Sequence, residues 1–175
     1  MEGNANVAVW VVGGDRPGIV AGVSKSLYEL GCNLLDAAST ILRGHFAMML
    51  MVEAPPDRDV TAIREALSSI AGDLGISVTV QHVSDTGSDA APPSHMVSVY
   101  GADKPGIVYR VADALATAGG NITDLSSRVI GDAQEPVYAL MLEVGLPAGA
   151  EARLEALAEE LDVEVTVHPL EADVL

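Results

Sequence analysis

The sequence contains the same pattern twice. Residues 13–36, GGDRPGIVAGVSKSLYELGCNLLD, line up with 101–124, GADKPGIVYRVADALATAGGNITD, at a constant offset of 88 residues. Asp15 matches Asp103, Pro17 matches Pro105, Gly31 matches Gly119, Asn33 matches Asn121 and Asp36 matches Asp124. A four-residue insertion follows in the second copy, after which FAMMLMVE at 46–53 matches YALMLEVG at 138–145. Self-similarity on this scale implies two copies of one structural unit. The expected layout is a first domain over 1–84, a linker over 85–94 and a second domain over 95–175. The linker is marked by Ser, Gly, Asp and Pro, with Ala as its one apolar residue type.

Each copy reads in the same order. NVAVWVV at 6–12 is rich in β-branched residues and predicts a strand. Pro17 is placed to open a helix, with Val20, Val23, Leu27 and Leu30 as the apolar stripe and Gly31 as a left-handed stop. Strands are expected over 33–42 and 46–53, joined by a turn at Arg43, Gly44 and His45. A second helix over 59–72 shows Val60, Ile63, Leu67 and Ile70, and ISVTVQHV at 76–83 closes the unit as a strand. The second copy repeats this at 95–100, 105–118, 121–130, 137–145, 148–161 and 162–168. The fold class is therefore α+β: two ferredoxin-like β-α-β-β-α-β units, each an antiparallel sheet with its helices on one face. Strand 46–52 is apolar on both parities, with Phe46, Met48, Leu50 and Val52 on one and Ala47, Met49 and Met51 on the other. A strand with one wet face alternates. Both of its faces are therefore expected to be buried, by the other repeat or by a second chain, with Trp10 in the same contact. A homodimer is the assembly this implies.

Composition narrows the function. Twenty-five acidic residues against nine basic ones leave a net charge of −16. This argues against direct binding to nucleic acid or to an anionic membrane, which needs a cationic surface. One cysteine, Cys32, excludes an internal disulfide framework and a multi-cysteine zinc site, and fits a reducing cytoplasm. The start, MEGNANVAVW, lacks the basic and long apolar stretches of a signal peptide. Apolar runs such as AMMLMV are far shorter than the roughly 20 residues of a membrane span. His45, His82, His95 and His168 are dispersed, so neither a metal site nor a cofactor is expected.

The candidate site is the repeated loop. Asp15, Arg16, Pro17, Gly18 and Ile19, with Asp103, Lys104, Pro105, Gly106 and Ile107, have the residues of an ordinary helix start. The same pattern also exposes backbone N–H groups at the positive end of a helix, where a carboxylate fits. Gly18 and Gly106 leave room for close approach, and Asp15 or Asp103 suits an ammonium group. Asn33 and Asn121 follow the helix-ending glycines and carry amides that donate and accept together. They serve equally as turn residues bonding their own backbone. Loop and asparagine together offer what an α-amino acid requires.

This pattern resembles the ACT domain, present here as a tandem pair over nearly the whole chain. Among such proteins it is similar to the glycine cleavage system transcriptional repressor family. The first copy also looks like the ACT modules heading formyltetrahydrofolate deformylase and some phosphoserine phosphatases. The resemblance implies a non-catalytic, amino-acid-sensing regulator, binding a small amino acid such as glycine or serine at interfaces between ACT units through the twelve residues named above. With no enzyme domain and no DNA-binding motif in the sequence, the output is expected to go to a protein partner, and with a net charge of −16 any effect on transcription is expected to be indirect. Two rivals stand beside it: a structural oligomerisation module without ligand, and an acylphosphatase-like enzyme using Arg16 with Asn33.

The charge balance generates the first prediction. The purified protein, free of partners, leaves duplex DNA unretarded in a gel-shift assay at physiological salt. A sequence-specific shift at about 10⁻⁸ to 10⁻¹¹ M, the usual range for specific complexes, contradicts it.

Overall fold

The structure is a computed structural model that describes residues 5–84, 92–132, 134 and 136–170. Most of the expected linker, 85–91, lies outside the described residues. The chain divides into two compact units at Gly87 and Ser88. The first holds β1 (Ala5–Gly14), α1 (Ile19–Glu29), β2 (Asn33–Leu42), β3 (His45–Ala54), α2 (Val60–Leu74) and β4 (Ile76–His82). The second holds β5 (His95–Gly101), α3 (Ile107–Thr117), β6 (Asn121–Ile130), β7 (Val137–Gly145), α4 (Ala150–Leu161) and β8 (Val163–Pro169). The sheets have strand orders β2-β3-β1-β4 and β6-β7-β5-β8. Every pairing is antiparallel. This is the β-α-β-β-α-β arrangement the repeat implied, formed twice.

The first core forms where two periodicities meet. Val7, Val9 and Val11 of β1 and Phe46, Met48, Leu50 and Val52 of β3 point to one face of the sheet. Against them pack Ile19, Val23 and Leu27 of α1 and Ile63 and Leu67 of α2. The second unit repeats this with Val97, Val99, Leu140, Leu142 and Val144 below Ile107, Val111, Leu115, Leu154 and Leu157.

Two details differ from the sequence reading, and a third concerns what a single unit covers. First, α1 begins at Ile19, not at Pro17. Gly18 has φ 96°, a left-handed conformation that no helical residue adopts, so Pro17 lies in the turn before the helix. The buried stripe shifts with it to Ile19, Val23, Ser26 and Leu27, and Val20 is 50% exposed. Second, the β2–β3 connection is a two-residue turn, with Arg43 at φ 49° and Gly44 at φ 80°. His45 is already in the strand, paired with Leu42. Positive φ at both central residues is the type I′ signature, which matches the twist of a hairpin.

Third, the helices of its own unit bury only one face of β3, so the expected burial of the other face rests on the other repeat or a second chain. The helices cover the side carrying Leu50, whereas Met49 is 45% exposed. Trp10, opposite Met49 on β1, is half-buried. Strand β2 is more open still, with all ten residues exposed, Leu34, Leu35, Ile41 and Leu42 among them. It is an edge strand, paired on one side to β3. Its counterpart β6 is exposed at every position except Ile122.

The helix ends follow the expected chemistry. Beyond α1, Gly31 takes φ 75°. Its N–H donates to Tyr28 O, and the Cys32 N–H donates to Leu27 O. Those two bonds are the Schellman pattern. Gly119 and Gly120 repeat it on Ala116 and Leu115.

The packing gives a paired prediction. Ile63→Ala, in the fully buried layer, lowers unfolding free energy by about 2–5 kcal/mol. Met49→Asp, on the open face, lowers it by less than about 1 kcal/mol. Urea unfolding of both variants at low protein concentration checks the contrast.

Candidate functional site

In each unit the repeated loop leaves the end of a central strand and enters a helix. Asp15, Arg16, Pro17 and Gly18 are all exposed, while Ile19 is 2% exposed and anchors the helix start in the core. Asp103, Lys104, Pro105 and Gly106 are exposed likewise, above buried Ile107. Gly18 and Gly106 occupy the cap position at φ 96° and φ 94°, with no side chain capping either helix. By contrast, α2 is capped by Asp59, whose carboxylate accepts from the Ala62 N–H. The first intrahelical bond of α1 runs from the Gly22 N–H to Gly18 O. The amides of Ile19, Val20 and Ala21 therefore open the helix without intrahelical acceptors. A Cβ built on Gly18 or Gly106 meets nothing within 4 Å. The loop is thus a side-chain-free donor surface at a helix N-terminus, with a carboxylate beside it.

Two neighbours of this loop were not visible in the sequence. The Asp15 N–H donates to Gly44 O at 2.8 Å, so the loop is tied to the β2–β3 turn. Arg16 reaches the other way, its Nη1 donating to Asp73 O at 3.2 Å, on the last turn of α2. Lys104 does the same in the second unit, its Nζ lying 3.4 Å from both Leu161 O and Asp162 Oδ2 at the end of α4. The cations of both loops therefore sit at the negative ends of second helices. The contacts span 57 and 58 positions, and no local signal marks them.

Asn33 is not part of this surface within its own unit. It pairs with Glu53 of β3, level with Asn6 near the start of β1. The loop leaves β1 at the opposite end, beside Gly44. Nine strand positions at about 3.3 Å each put the two roughly 30 Å apart along the sheet. Asn121 pairs with Gly145, and the loop of its unit leaves β5 beyond Gly101. One unit therefore does not bring loop and asparagine onto one small ligand. The same geometry removes the acylphosphatase-like pairing of Arg16 with Asn33.

The other candidates fall away from the loop. Cys32 is partly buried against the first core, and burial raises its thiol pKa, opposed by nearby Arg58. No cluster of three potential metal ligands forms among the described residues. No helix among them is long and apolar enough to cross a membrane. An open depression of about 290 Å³ lies between α3 and α4, lined by Arg110, Asp113, Arg153 and Glu160 among others. A second, about 380 Å³, lies beside Tyr100 and Val163. Neither includes a residue of the repeated loops.

Comparison with known proteins follows the same two-unit division. Residues 6–81 and 95–162 each match a family model for the ACT domain. A UPF0237 protein of Methanopyrus kandleri is 45% identical over 75 residues, covering 42% of this chain and 83% of its own length. The phosphoserine phosphatase SerB2 of Mycobacterium tuberculosis is 28% identical over 173 residues. That alignment takes in 95% of this chain but only 41% of the enzyme. Among solved structures, a protein of unknown function from Galdieria sulphuraria superposes with a TM-score of 0.81 at 26% identity, covering 95% of this chain and 99% of its own. A candidate glycine cleavage system transcriptional repressor superposes with a TM-score of 0.73 at 20% identity, covering 97% and 99%. At that identity the second likeness speaks to the fold.

The loop geometry makes its own prediction. Gly18→Ala fits sterically, yet it is forced to positive φ and costs roughly 1–2 kcal/mol. Gly14→Ala, also in open space but without the left-handed constraint, costs less. Thermal unfolding of the pair isolates the cost of the left-handed conformation, since neither site is crowded.

Proposed function

The chain belongs to the ACT-domain family, one domain in each half, and on that premise we propose that it is a non-catalytic regulatory protein that binds a small amino acid. One observation carries this reading. Both units present an exposed, uncapped helix start with a left-handed glycine and an adjacent aspartate. The free amides suit the ligand carboxylate and the aspartate its ammonium. Glycine or serine suits the first loop best. The helix there continues with Ala21 and Gly22, where the second unit has the bulkier Tyr109 and Arg110.

The separation of loop and asparagine supports a site completed by assembly. Strand β2 is an open edge, and antiparallel pairing with β2 of a second copy needs no new fold. Pairing centred between Ala37 and Ala38 sets Asn33 of one copy opposite Leu42 of the other, at the end where that copy's loop lies. Leu34 then faces Ile41 across the pair. Ligand binding at such a boundary biases assembly, which is how a protein without an active site transmits a signal. The output goes to a protein partner in the cytoplasm. Control of transcription is indirect, since a net charge of −16 opposes contact with DNA. The exposed apolar edge strand β2 also favours a second reading, an oligomerisation module without ligand.

Calorimetric titration with glycine and serine, paired with sedimentation, separates the two. The expected result is heat with a small amino acid and a dimer at micromolar concentration. Ile41→Lys, at an exposed edge position, shifts sedimentation toward the monomer. Asn33→Ala weakens binding about tenfold to a hundredfold, the loss of hydrogen bonds to a charged ligand worth roughly 1.5–3 kcal/mol. Absence of heat with every amino acid leaves the oligomerisation module.

A further inference from the structure

The basic residue of each repeated loop is engaged by the end of the second helix of its own unit. Arg16 Nη1 lies 3.2 Å from Asp73 O, and a Cβ on Gly75 would meet the same nitrogen at 3.7 Å. Lys104 Nζ lies 3.4 Å from Leu161 O and Asp162 Oδ2. Both targets are helix ends that finish in the left-handed conformation, Gly75 at φ 63° and Asp162 at φ 54°. Both lead at once into an edge strand, β4 or β8, paired to the strand that precedes the loop. The contact beneath is close as well. A Cβ on Gly13 would fall 2.7 Å from Gly75 O, and one on Gly101 would fall 2.7 Å from Val163 Cγ1. Loop, helix end and edge strand are therefore locked together on one side of each unit, by the same device built from different residues.

The choice of residues says which chemistry the device uses. An arginine that clamps a carboxylate does so through its planar fork, and lysine does not replace it there. A cation that caps a helix end needs only charge and reach, which Arg and Lys share. The two copies carry one of each. We infer that Arg16 and Lys104 are positioning residues that tie the repeated loop to the C-terminal end of the second helix, and that loop occupancy is thereby coupled to the α2–β4 and α4–β8 junctions. The regulatory part of this inference rests on the amino-acid-binding reading; the mechanical part does not. A ligand that orders the loop stiffens the junction through the cation, and removal of the cation loosens both.

Hydrogen exchange of the full chain tests it, with Arg16→Met keeping the aliphatic stem and Arg16→Lys keeping charge and reach. Arg16→Met is expected to raise exchange several-fold in a peptide spanning 71–78, with β3 unchanged, and Arg16→Lys to restore the wild-type rate. Lys104→Met is expected to do the same for 159–166 and to leave 71–78 alone. In calorimetry with glycine and serine, Arg16→Met is expected to weaken binding by a factor of about two to five, with Arg16→Lys near wild type. Unchanged exchange at 71–78 in Arg16→Met overturns the inference. So does an Arg16→Lys variant that exchanges as fast as Arg16→Met. An affinity loss of a hundredfold or more with unchanged exchange overturns it too, by making the guanidinium a direct ligand contact. If wild-type protein binds no amino acid, the sensing reading falls while the exchange results still decide the mechanical coupling.

Discussion

The crossover from the central strand to the edge strand fixes the geometry of each unit. The chain leaves β1, turns through a glycine at φ 96°, and runs back as α1 along the length of the sheet before β2 begins. Strands β1 and β2 therefore run parallel, with β3 antiparallel between them. Two features close together in sequence, the loop at 15–18 and Asn33, are carried to opposite ends of the same sheet. The left-handed glycine is what lets the turn be so short, because a residue with a Cβ resists that conformation. The same crossover leaves β2 outermost, where the two helices do not reach over it and every side chain meets solvent.

The fold was largely legible because local signals agreed with one another. β-Branched runs marked β1 and β4, glycines marked the ends of α1 and α3, and the repeat tested each assignment twice. The repeated loop was legible as a helix start, but its connections to the rest of the unit were not. Asn33 appeared beside the loop because sequence distance hides the length of an eleven-residue helix. Arg16 appeared free for a ligand because its partner lies 57 positions away. Arg43 gave no sign of its left-handed φ of 49°, which the adjacent Gly44 and the hairpin twist impose. Burial of both faces of β3 was inferred from its apolar pattern, yet within one unit the helices supply only one covering layer.

The two units share a plan but have diverged at the helix pair. In the first, Gly22 brings α1 close to α2, where an added Cβ would meet Leu74 Cδ1 at 2.9 Å. In the second the matching position is Arg110, whose guanidinium pairs with Glu160 across the helices, and an open depression lies between them. At this position the first unit has a glycine packed under Leu74, and the second has an arginine ion-paired across to Glu160. That pairing also raises the Arg110 pKa, chiefly through the Glu160 hydrogen bond. The layers beneath are conserved in kind, with valine and leucine meeting leucine and isoleucine in both cores.

The open edge carries a colloidal consequence. Natural sheets blunt such edges with lysine, proline or a covering segment. Strand β2 has neither lysine nor proline, and its single charge is Asp36. Restraint against unlimited edge-to-edge growth then falls to the rest of the surface, whose net charge of −16 repels other copies over a screening length of about 8 Å at physiological ionic strength. Any self-association through β2 is accordingly expected to strengthen as salt is added, the opposite of a contact held by ion pairs. The acidity that argues against contact with nucleic acid therefore also guards the open edge of β2.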